Sequence, residues 1–208
     1  MPDLSFAVEG VEAAPFSATP LLHFKLRVDN DDPAETIPAV MLRCQIPIEP
    51  ARRAYGGSEQ EKLSELFGEP ARWGQTLHSM LWTHSNVVIP PFQGSITIDL
   101  PVACTFDLTV ASAKYFHGLE QGEAPLCLLF SGTIFHQSPA GALQIAQIPW
   151  TKEAYFGLPA ATWQQLMDCH YPNQAWLCLR RDVFERLNQY KRAHGIPTWE
   201  QALEKVLP

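Results

Sequence analysis

The sequence lacks the long apolar runs that membrane-spanning helices need. A helix that crosses a bilayer requires about 20 consecutive apolar residues, and no stretch of that length occurs among the 208 residues. The N-terminus begins Met1-Pro2-Asp3-Leu4 and has neither a basic region nor an apolar segment, so we expect no secretory signal. These absences predict a cytoplasmic protein without a membrane partner.

Cysteines are few, and their spacing fits neither a disulfide framework nor a zinc site. They are five in number: Cys44, Cys104, Cys127, Cys169 and Cys178. Cys44, Cys127 and Cys178 lie within apolar runs, where a thiol behaves as a small hydrophobic group. Cys169 stands beside His170, but neighbours on a helix point about 100° apart and cannot pair directly as nucleophile and base.

Basic charge and clustered glycines are also scarce. Fifteen Lys and Arg face 22 Asp and Glu, which gives a net charge of -7 and argues against nucleic-acid binding by the whole surface. No glycine-rich loop offers a phosphate cradle. Phe130-Ser131-Gly132 is not the Gly-x-Ser-x-Gly motif of hydrolases. We therefore expect no catalytic residue, no cofactor and no metal.

What the chain has is apolar content and alternation. Apolar residues make up 46% of it, enough for a substantial core, and 18 prolines and 12 glycines indicate short elements joined by turns. Apolar and polar residues alternate most clearly in residues 22–28, as in a half-buried strand. Further strands are predicted at residues 4–9, 37–48, 82–89, 95–100, 106–117, 126–136 and 143–148, with Gly132 as a bulge.

Helical spacing takes over near Pro149. Trp163, Leu166 and Met167 share one face of a helix that Pro159 begins, and an earlier short helix is predicted over residues 58–67.

The change of periodicity predicts the fold class. We expect an α+β protein in one domain, residues 1–208. An antiparallel β-sandwich would occupy residues 1–149, and helices packed on it would occupy residues 150–208.

The C-terminal segment has the order strand, helix, helix. Residues 175–180 form an apolar strand, Asp182 can cap the first helix, and Thr198 with Gln201 resembles a capping box for the second. A strand that is apolar on both faces needs a cover. We therefore predict burial against the sandwich for Trp176, Leu179, Phe184, Leu187 and Trp199.

Tryptophan is conspicuous, with six residues. Indoles of this size usually anchor a core, and their N–H needs a partner. The sequence leaves a second interpretation open, because tryptophan is also enriched at protein interfaces. In that interpretation Trp150, Trp163 and Trp199 form a partner-binding patch.

Several segments resemble a bacterial family of uncharacterised proteins of similar length. They are Leu42-Arg43-Cys44-Gln45, Glu65-Leu66-Phe67-Gly68-Glu69-Pro70, Ala113-Lys114-Tyr115, Leu128-Leu129-Phe130-Ser131-Gly132-Thr133 and Pro197-Thr198-Trp199-Glu200-Gln201-Ala202. Members of that family are often encoded near uptake NiFe hydrogenase genes. The resemblance implies an accessory context and carries no catalytic residue.

Two resemblances cover only the C-terminal half. The strand-helix-helix order of residues 175–207 resembles ribbon-helix-helix proteins, which place a strand in the DNA major groove. Phe130-Ser131-Gly132-Thr133-Ile134-Phe135 and the segment from Tyr171-Pro172 onward resemble the SecB export chaperone, which implies holding of immature clients.

Together these features predict a non-catalytic accessory or assembly protein. It would bind a protein partner, in a hydrogenase-related context, or form a homo-oligomer. A SecB-like chaperone is one alternative. A ribbon-helix-helix DNA-binding or dimerisation module is the other, although the acidic composition argues against nucleic acid as a partner.

Overall fold

Ten strands and six α-helices make up the residues that the structure describes. The computed structural model describes residues 2–104, 110–138, 141–174 and 179–207. The strands are β1 (Leu4–Ala13), β2 (Leu21–Asn30), β3 (Thr36–Ile37), β4 (Ala39–Ile48), β5 (Met80–Ile89), β6 (Phe92–Gln93), β7 (Ser95–Ala103), β8 (Glu123–Gln137), β9 (Leu143–Gln147) and β10 (Glu153–Pro159). The helices are α1 (Gly57–Phe67), α2 (Trp73–Thr76), α3 (Val110–Gly118), α4 (Ala160–His170), α5 (Arg181–Ala193) and α6 (Trp199–Val206), with short 3-10 turns at Pro50–Arg52 and Pro70–Arg72.

The long strands form two antiparallel sheets. The smaller sheet has the order β1-β2-β7. The larger has the order β10-β8-β4-β5, and β9 pairs with the far end of β8. A two-residue ladder between β3 and β6 makes a third, minor sheet. The α+β class predicted from the sequence is confirmed.

Alternation fixes which side of each strand is buried. In β2 the side chains of Leu22, Phe24 and Leu26 are fully buried, while Lys25 and Arg27 between them reach solvent. Because successive side chains in a strand point to opposite faces, each strand contributes one row of apolar residues to the core side of its sheet.

Aromatic side chains join the two sheets into a sandwich. Phe6 of the smaller sheet stacks on Phe130 of the larger, with ring centroids 4.4 Å apart. Phe24 of the smaller sheet meets the rings of Phe156 and Trp82 at 5.7 Å and 6.5 Å, edge to face. The inner faces therefore interdigitate, as the sequence predicted for an antiparallel sandwich.

The two sheets also meet along their edges. Strand β7 lies beside β5, and β1 lies beside β10. At the first of these seams the Ser85 hydroxyl donates a hydrogen bond to the carbonyl oxygen of Pro101 at 2.5 Å. Strands β1, β5, β7 and β10 therefore each have a neighbour from the opposite sheet, which limits access to their backbone groups.

Helices α1, α3 and α4 form a layer on the sandwich. Helix α1 packs on α3, α3 packs on α4 and β5, and α4 packs on β1 and β10. Their buried residues include Leu63, Tyr115 and Trp163. The α1–α3 approach is close, since a Cβ at Gly118 would lie 2.5 Å from Leu63 Cδ2.

The strand predicted over residues 106–117 is wrong where the structure describes it. Helix α3 begins at Val110, and residues 105–109 lie outside the described residues. Ser112, Tyr115 and Phe116 are buried together with Leu119, which is the spacing of one helical face. The apolar alternation just before them drew the prediction toward a strand.

The boundary predicted near Pro149 misses one strand. Strand β10 pairs with β8 and places Ala154 and Leu158 in the core. Its alternation spans only a few residues and ends at Pro159, which is too short a pattern to recognise. The helix predicted after Pro159 is confirmed as α4.

Contacts within the chain define two compact units, Met1–Pro172 and Asn173–Pro208. We call these the first and the second unit. Whether they unfold together is a separate property, so the single-domain organisation stays a prediction. No helix among the described residues is long and apolar enough to cross a membrane.

The second unit contains the two predicted helices, α5 and α6. The Thr198 hydroxyl accepts the backbone N–H of Gln201 at 3.3 Å, so the predicted N-cap is confirmed. Phe184 and Trp199 contact each other with ring centroids 5.2 Å apart.

The burial predicted for this segment is wrong for the four predicted residues that the structure describes. Residues 175–178, which include Trp176, lie outside the described residues. Leu179 and Phe184 are exposed, the latter at 44%, and Leu187 and Trp199 are half-buried. Two short helices enclose little volume, and the fully covered positions in them are small or lie in the turn, as at Ala202 and Ile196.

Candidate functional site

The outward side of the larger sheet carries rows of side chains from β4, β5 and β8. In the ladder Arg43 lies opposite Asn86 and Ser131, Gln45 opposite His84 and Leu129, and Met41 opposite Val88 and Thr133. Directly opposed side chains in an antiparallel pair stand about 5 Å apart. We call this set of nine residues the Arg43 face.

Apolar groups flank the polar centre of the Arg43 face. Met41 is 56% exposed and Val88 is 64% exposed, side by side across β4 and β5. Trp150, in the turn between β9 and β10, is 88% exposed and adjoins the same face. Among the described residues, two hollows on this side of the sheet are lined by strand residues and Trp150, and by no residue of a helix. Contiguous exposed apolar groups of this kind are typical of interaction surfaces.

Two shallow hollows meet at Arg43. One, of about 560 Å³, is lined by Arg43, Gln45, His84, Asn86, Ser131 and Trp150, with Leu129 and Phe130 at its base. The other, also about 560 Å³, shares Arg43, Asn86 and Ser131 and extends to Met41, Val88 and Thr133. The guanidinium therefore stands between a hollow with a tryptophan wall and one with an aliphatic wall.

Arg43 has no ion pair or hydrogen bond among the described residues, unlike most cations of the first unit. Lys25, Arg27 and Arg53, by contrast, each contact a carboxylate within 3 Å. Among the residues that the structure describes, no Asp or Glu lines either hollow. The nearest acid in the ladder is Glu153, opposite Leu129 on the edge strand, and it accepts the Tyr155 hydroxyl at 3.1 Å.

Gly132 lets the backbone of β8 approach the backbone of β4 closely. Its φ is +141°, and a Cβ there would lie 2.0 Å from the carbonyl oxygen of Met41. The predicted bulge is wrong, because the register with β4 continues through the Gly132–Leu42 pair without a shift. Close approach of two backbones, rather than an extra residue, explains the glycine.

Two of the three tryptophans predicted as a patch, Trp150 and Trp163, are not brought together. Trp150 lies at the Arg43 face, whereas Trp163 is 3% exposed and stacks on Phe116 with centroids 5.2 Å apart. Trp199 belongs to the second unit, where Lys191 lies over its ring. Trp163 is thus a core residue, and its inclusion in a surface patch was wrong.

Sequence reasoning missed Arg43, Gln45, His84, Asn86 and Ser131. Each occupies the polar position of an alternating strand, which is the ordinary pattern of a solvent-facing side. Only the register of β5, β4 and β8 shows that they share one surface. The sequence signal was therefore present but not distinctive.

The Arg43 face is not arranged for nucleophilic catalysis. Ser131 and His84 line one hollow, but they lie on β8 and β5, which flank β4 on opposite sides. Strands separated by an intervening strand are about 10 Å apart, so the two side chains do not pair. Ser131 lies within a strand and not at a strand-to-helix turn, as its sequence context predicted.

Buried cysteines are likewise unsuited to attack. Burial raises the pKa of the Cys44 thiol and of the Cys104 thiol to about 12. Burial also raises the pKa of Cys127. Both ring nitrogens of His170 face carbonyl oxygens, of Leu166 and Ser17, and not the neighbouring Cys169.

A cluster on the outward side of the smaller sheet has the composition of a metal site. Ligand atoms of Glu12, His23 and Asp99 lie within 4.8 Å of one another. However, the Lys25 ammonium lies 2.7 Å from both carboxylates and occupies the position between them that a cation would need. The cluster is therefore explained as an ion-pair network.

A buried ion pair supports the helical layer. The Arg53 guanidinium donates to both oxygens of Glu59 at 2.9 Å and 2.8 Å, and the backbone N–H groups of Gly56 and Glu120 donate to the same carboxylate. Beside it, Tyr115 donates to the Tyr55 hydroxyl at 2.9 Å, since the Tyr55 hydrogen is used toward the carbonyl oxygen of Pro50. The polar groups of this cluster therefore find their hydrogen-bond partners within the protein.

The whole length of the chain matches one known protein family. A family model matches residues 1–208. The chain belongs to DUF6084, a family of unknown function. The match confirms the expected membership of such a family. No curated protein matches the chain. The family match therefore assigns no activity to the Arg43 face.

Proposed function

We propose that this protein is a non-catalytic accessory or assembly protein that binds a protein partner through the Arg43 face. The observation that carries the proposal is a sheet surface in which Arg43, without an ion pair among the described residues, stands between exposed Met41 and Val88 on one side and exposed Trp150 on the other.

The composition of this surface suits a protein interface. Arginine, tryptophan and methionine are enriched in interface centres, and arginine and tryptophan recur among the residues that contribute most to affinity. Covering exposed apolar surface is favourable by about 25 cal/mol per Å². A partner that covers Met41, Val88 and Trp150 would gain this free energy while pairing the guanidinium.

We further propose a cytoplasmic partner in a hydrogenase-related context. The support is the resemblance of segments such as Leu42-Arg43-Cys44-Gln45 to the family encoded near hydrogenase genes. The Arg43 face includes two residues of that segment, Arg43 and Gln45.

A SecB-like holding chaperone is the second candidate. The exposed apolar groups on a sheet favour it, since such a chaperone binds unfolded clients on apolar surface. The two candidates differ in the number of partners: an accessory protein has one or few, and a chaperone has many.

DNA binding by α5 and α6 has less support. Arg180 pairs with Asp182 at 3.3 Å, and Arg181 pairs with Glu185 at 3.1 Å. Residues 173–208 carry six Lys and Arg against four Asp and Glu, so only a small positive excess is left to neutralise phosphates.

Site-specific photocrosslinking in the native host tests the proposal. The cross-linking residue p-benzoylphenylalanine replaces Trp150 in one variant. In the matched control it replaces Thr97, which is exposed on the outward side of the smaller sheet. One or few protein adducts from position 150, absent from position 97, are expected. A broad ladder of adducts would favour the chaperone, and equal labelling at both positions would refute the proposal.

A further inference from the structure

We infer that the Arg43 face selects an extended, acidic partner segment, with one carboxylate seated on Arg43 and an apolar side chain two residues away on each side. This inference rests on the proposed function and specifies the partner's chemistry. The occupant is a protein segment of the pattern apolar-x-acidic-x-apolar.

Charge argues for the acidic residue. The chain carries a net charge of -7, yet no acidic side chain of the described residues lines the two hollows that meet at Arg43. A guanidinium without a counter-ion is the complement of a carboxylate, which it can bind through two parallel hydrogen bonds.

Neighbouring donors converge on the same place. Asn86 and Ser131 lie directly opposite Arg43 on the two flanking strands, each about 5 Å away. An amide N–H and a hydroxyl therefore stand on either side of the guanidinium, and both can donate to the carboxylate oxygens that it leaves unfilled.

The spacing of the rows argues for an extended segment. Along β4 the Met41–Val88 row lies two residues from Arg43 in one direction, and the Gln45–Leu129 row, which adjoins Trp150, lies two residues away in the other. Two residues of a strand span about 6.8 Å. Side chains at alternate positions of an extended peptide have the same separation, so its acidic and apolar groups match the rows.

A second copy of the chain fits this surface poorly. A two-fold dimer through the Arg43 face would place two surfaces of identical composition together. Each would contribute the Arg43 guanidinium, and no acid of the described residues lines the hollows, so two like charges would meet at the centre of the interface.

Binding of synthetic peptides to the full chain tests the inference. The probe is an N-acetylated, C-amidated Gly-Ser-Leu-Ser-Glu-Ser-Leu-Gly peptide; one comparison peptide has Gln for Glu and another has Ser for both Leu. Calorimetric titration is expected to give a Kd for the Glu peptide about tenfold or more below that of each comparison peptide. In Arg43→Gln the Glu-to-Gln ratio should fall to about one.

Arg72→Gln is the matched control, because it removes the same charge from an exposed arginine outside both hollows. It should keep the full Glu-to-Gln ratio. Equal affinity for the Glu and Gln peptides, no binding of any peptide, or an unchanged ratio in Arg43→Gln would each overturn the inference. So would acetate binding as well as the peptide, or concentration-dependent dimers that Arg43→Gln abolishes in sedimentation.

The two proposals fail separately. A cross-linked partner at position 150 whose capture is unaffected by Arg43→Gln would leave the protein-binding function standing and remove the acidic segment. Absence of any specific adduct at position 150 would remove the function itself.

Discussion

At the scale of single residues, the buried carboxylate of Glu59 makes a measurable contribution to stability. Replacing Glu59 with Gln leaves the nearly buried Arg53 guanidinium without its counter-charge. We expect the free energy of unfolding to fall by about 3–5 kcal/mol, as when one partner of a buried ion pair is removed. Urea-induced unfolding at neutral pH measures the change.

The matched control for this substitution is Glu65→Gln. Glu65 also lies on α1 and pairs with Lys114, but its side chain is largely exposed. Exposed pairs contribute about 1 kcal/mol or less. Similar losses in the two variants would show that the burial of Glu59 has no special effect.

The same carboxylate predicts a pH dependence. Burial raises the pKa of Glu59, but the N–H groups of Glu120 and Gly56 and the Arg53 guanidinium outweigh it and hold the pKa below its ordinary 4.5. A group with a depressed pKa stabilises the fold above the unfolded-state value, and this stability is lost as pH falls through the folded-state pKa. The gap between wild type and Glu59→Gln should therefore narrow below about pH 4.5. Unfolding curves at decreasing pH test this.

Cysteine reactivity is a third prediction at this scale. Cys44, Cys104 and Cys127 are buried, whereas Cys169 is exposed. Because the thiolate is the reacting species, thiols with raised pKa values react slowly. In a Cys178→Ser background we expect an aromatic disulfide reagent to modify Cys169 rapidly and the other three thiols only on unfolding. Adding Cys169→Ser should abolish the rapid phase; a persistent rapid phase would contradict the assignment.

At the scale of elements, the contact between β8 and β4 predicts a strict requirement for glycine. Gly132→Ala would place a methyl group 2.0 Å from the Met41 carbonyl oxygen at a φ of +141°. We expect the free energy of unfolding to fall by about 3 kcal/mol or more, from backbone strain and displacement of a strand. Thermal unfolding followed by circular dichroism measures it.

Gly10→Ala serves as the comparison. Gly10 is also in a strand, but a Cβ there meets nothing within 4 Å. Its melting temperature should stay close to that of the unmodified chain. A similar loss in both variants would mean that strand glycines, and not this contact, determine stability.

The elements differ in how far the sequence alone predicts them. Residues 22–28 alternate without interruption, so β2 and its buried face follow directly from periodicity. Helix α3 was missed because Tyr115 and Phe116 are adjacent and fit either a strand or a helix. Strand β10 was missed because its alternation is short and ends at Pro159. Long, regular patterns of apolar residues were enough to predict an element's type, and short apolar pairs were not.

The candidate site was less predictable than the fold, for a physical reason. Trp150 could be named as a candidate from its residue type alone, but Trp163 has the same type and is in the core. Arg43, Asn86 and Ser131 come together only through strand pairing between residues that are distant in sequence. Pairing partners are fixed by the packing of the whole sandwich and not by any local pattern.

At the scale of the whole molecule, the described members of the hydrophobic core cluster all belong to the first unit. They run from Leu4 to Met167 and include the buried residues of α1, α3 and α4. We therefore expect a chain that ends at Pro172 to be soluble and to unfold in a single cooperative transition. Size-exclusion chromatography and urea unfolding test this. An insoluble product would instead support the buttressing role that the sequence suggested for the second unit.

The seams between the sheets have a consequence for recognition. With β7 beside β5 and β1 beside β10, a ligand gains little by adding its own strand to these edges. Strand addition draws affinity from main-chain hydrogen bonds and tolerates many sequences. A ligand that lies on the face of the larger sheet is instead recognised through its side chains. N-methylation of such a ligand's amides would leave its affinity nearly unchanged, while single side-chain changes would alter it sharply.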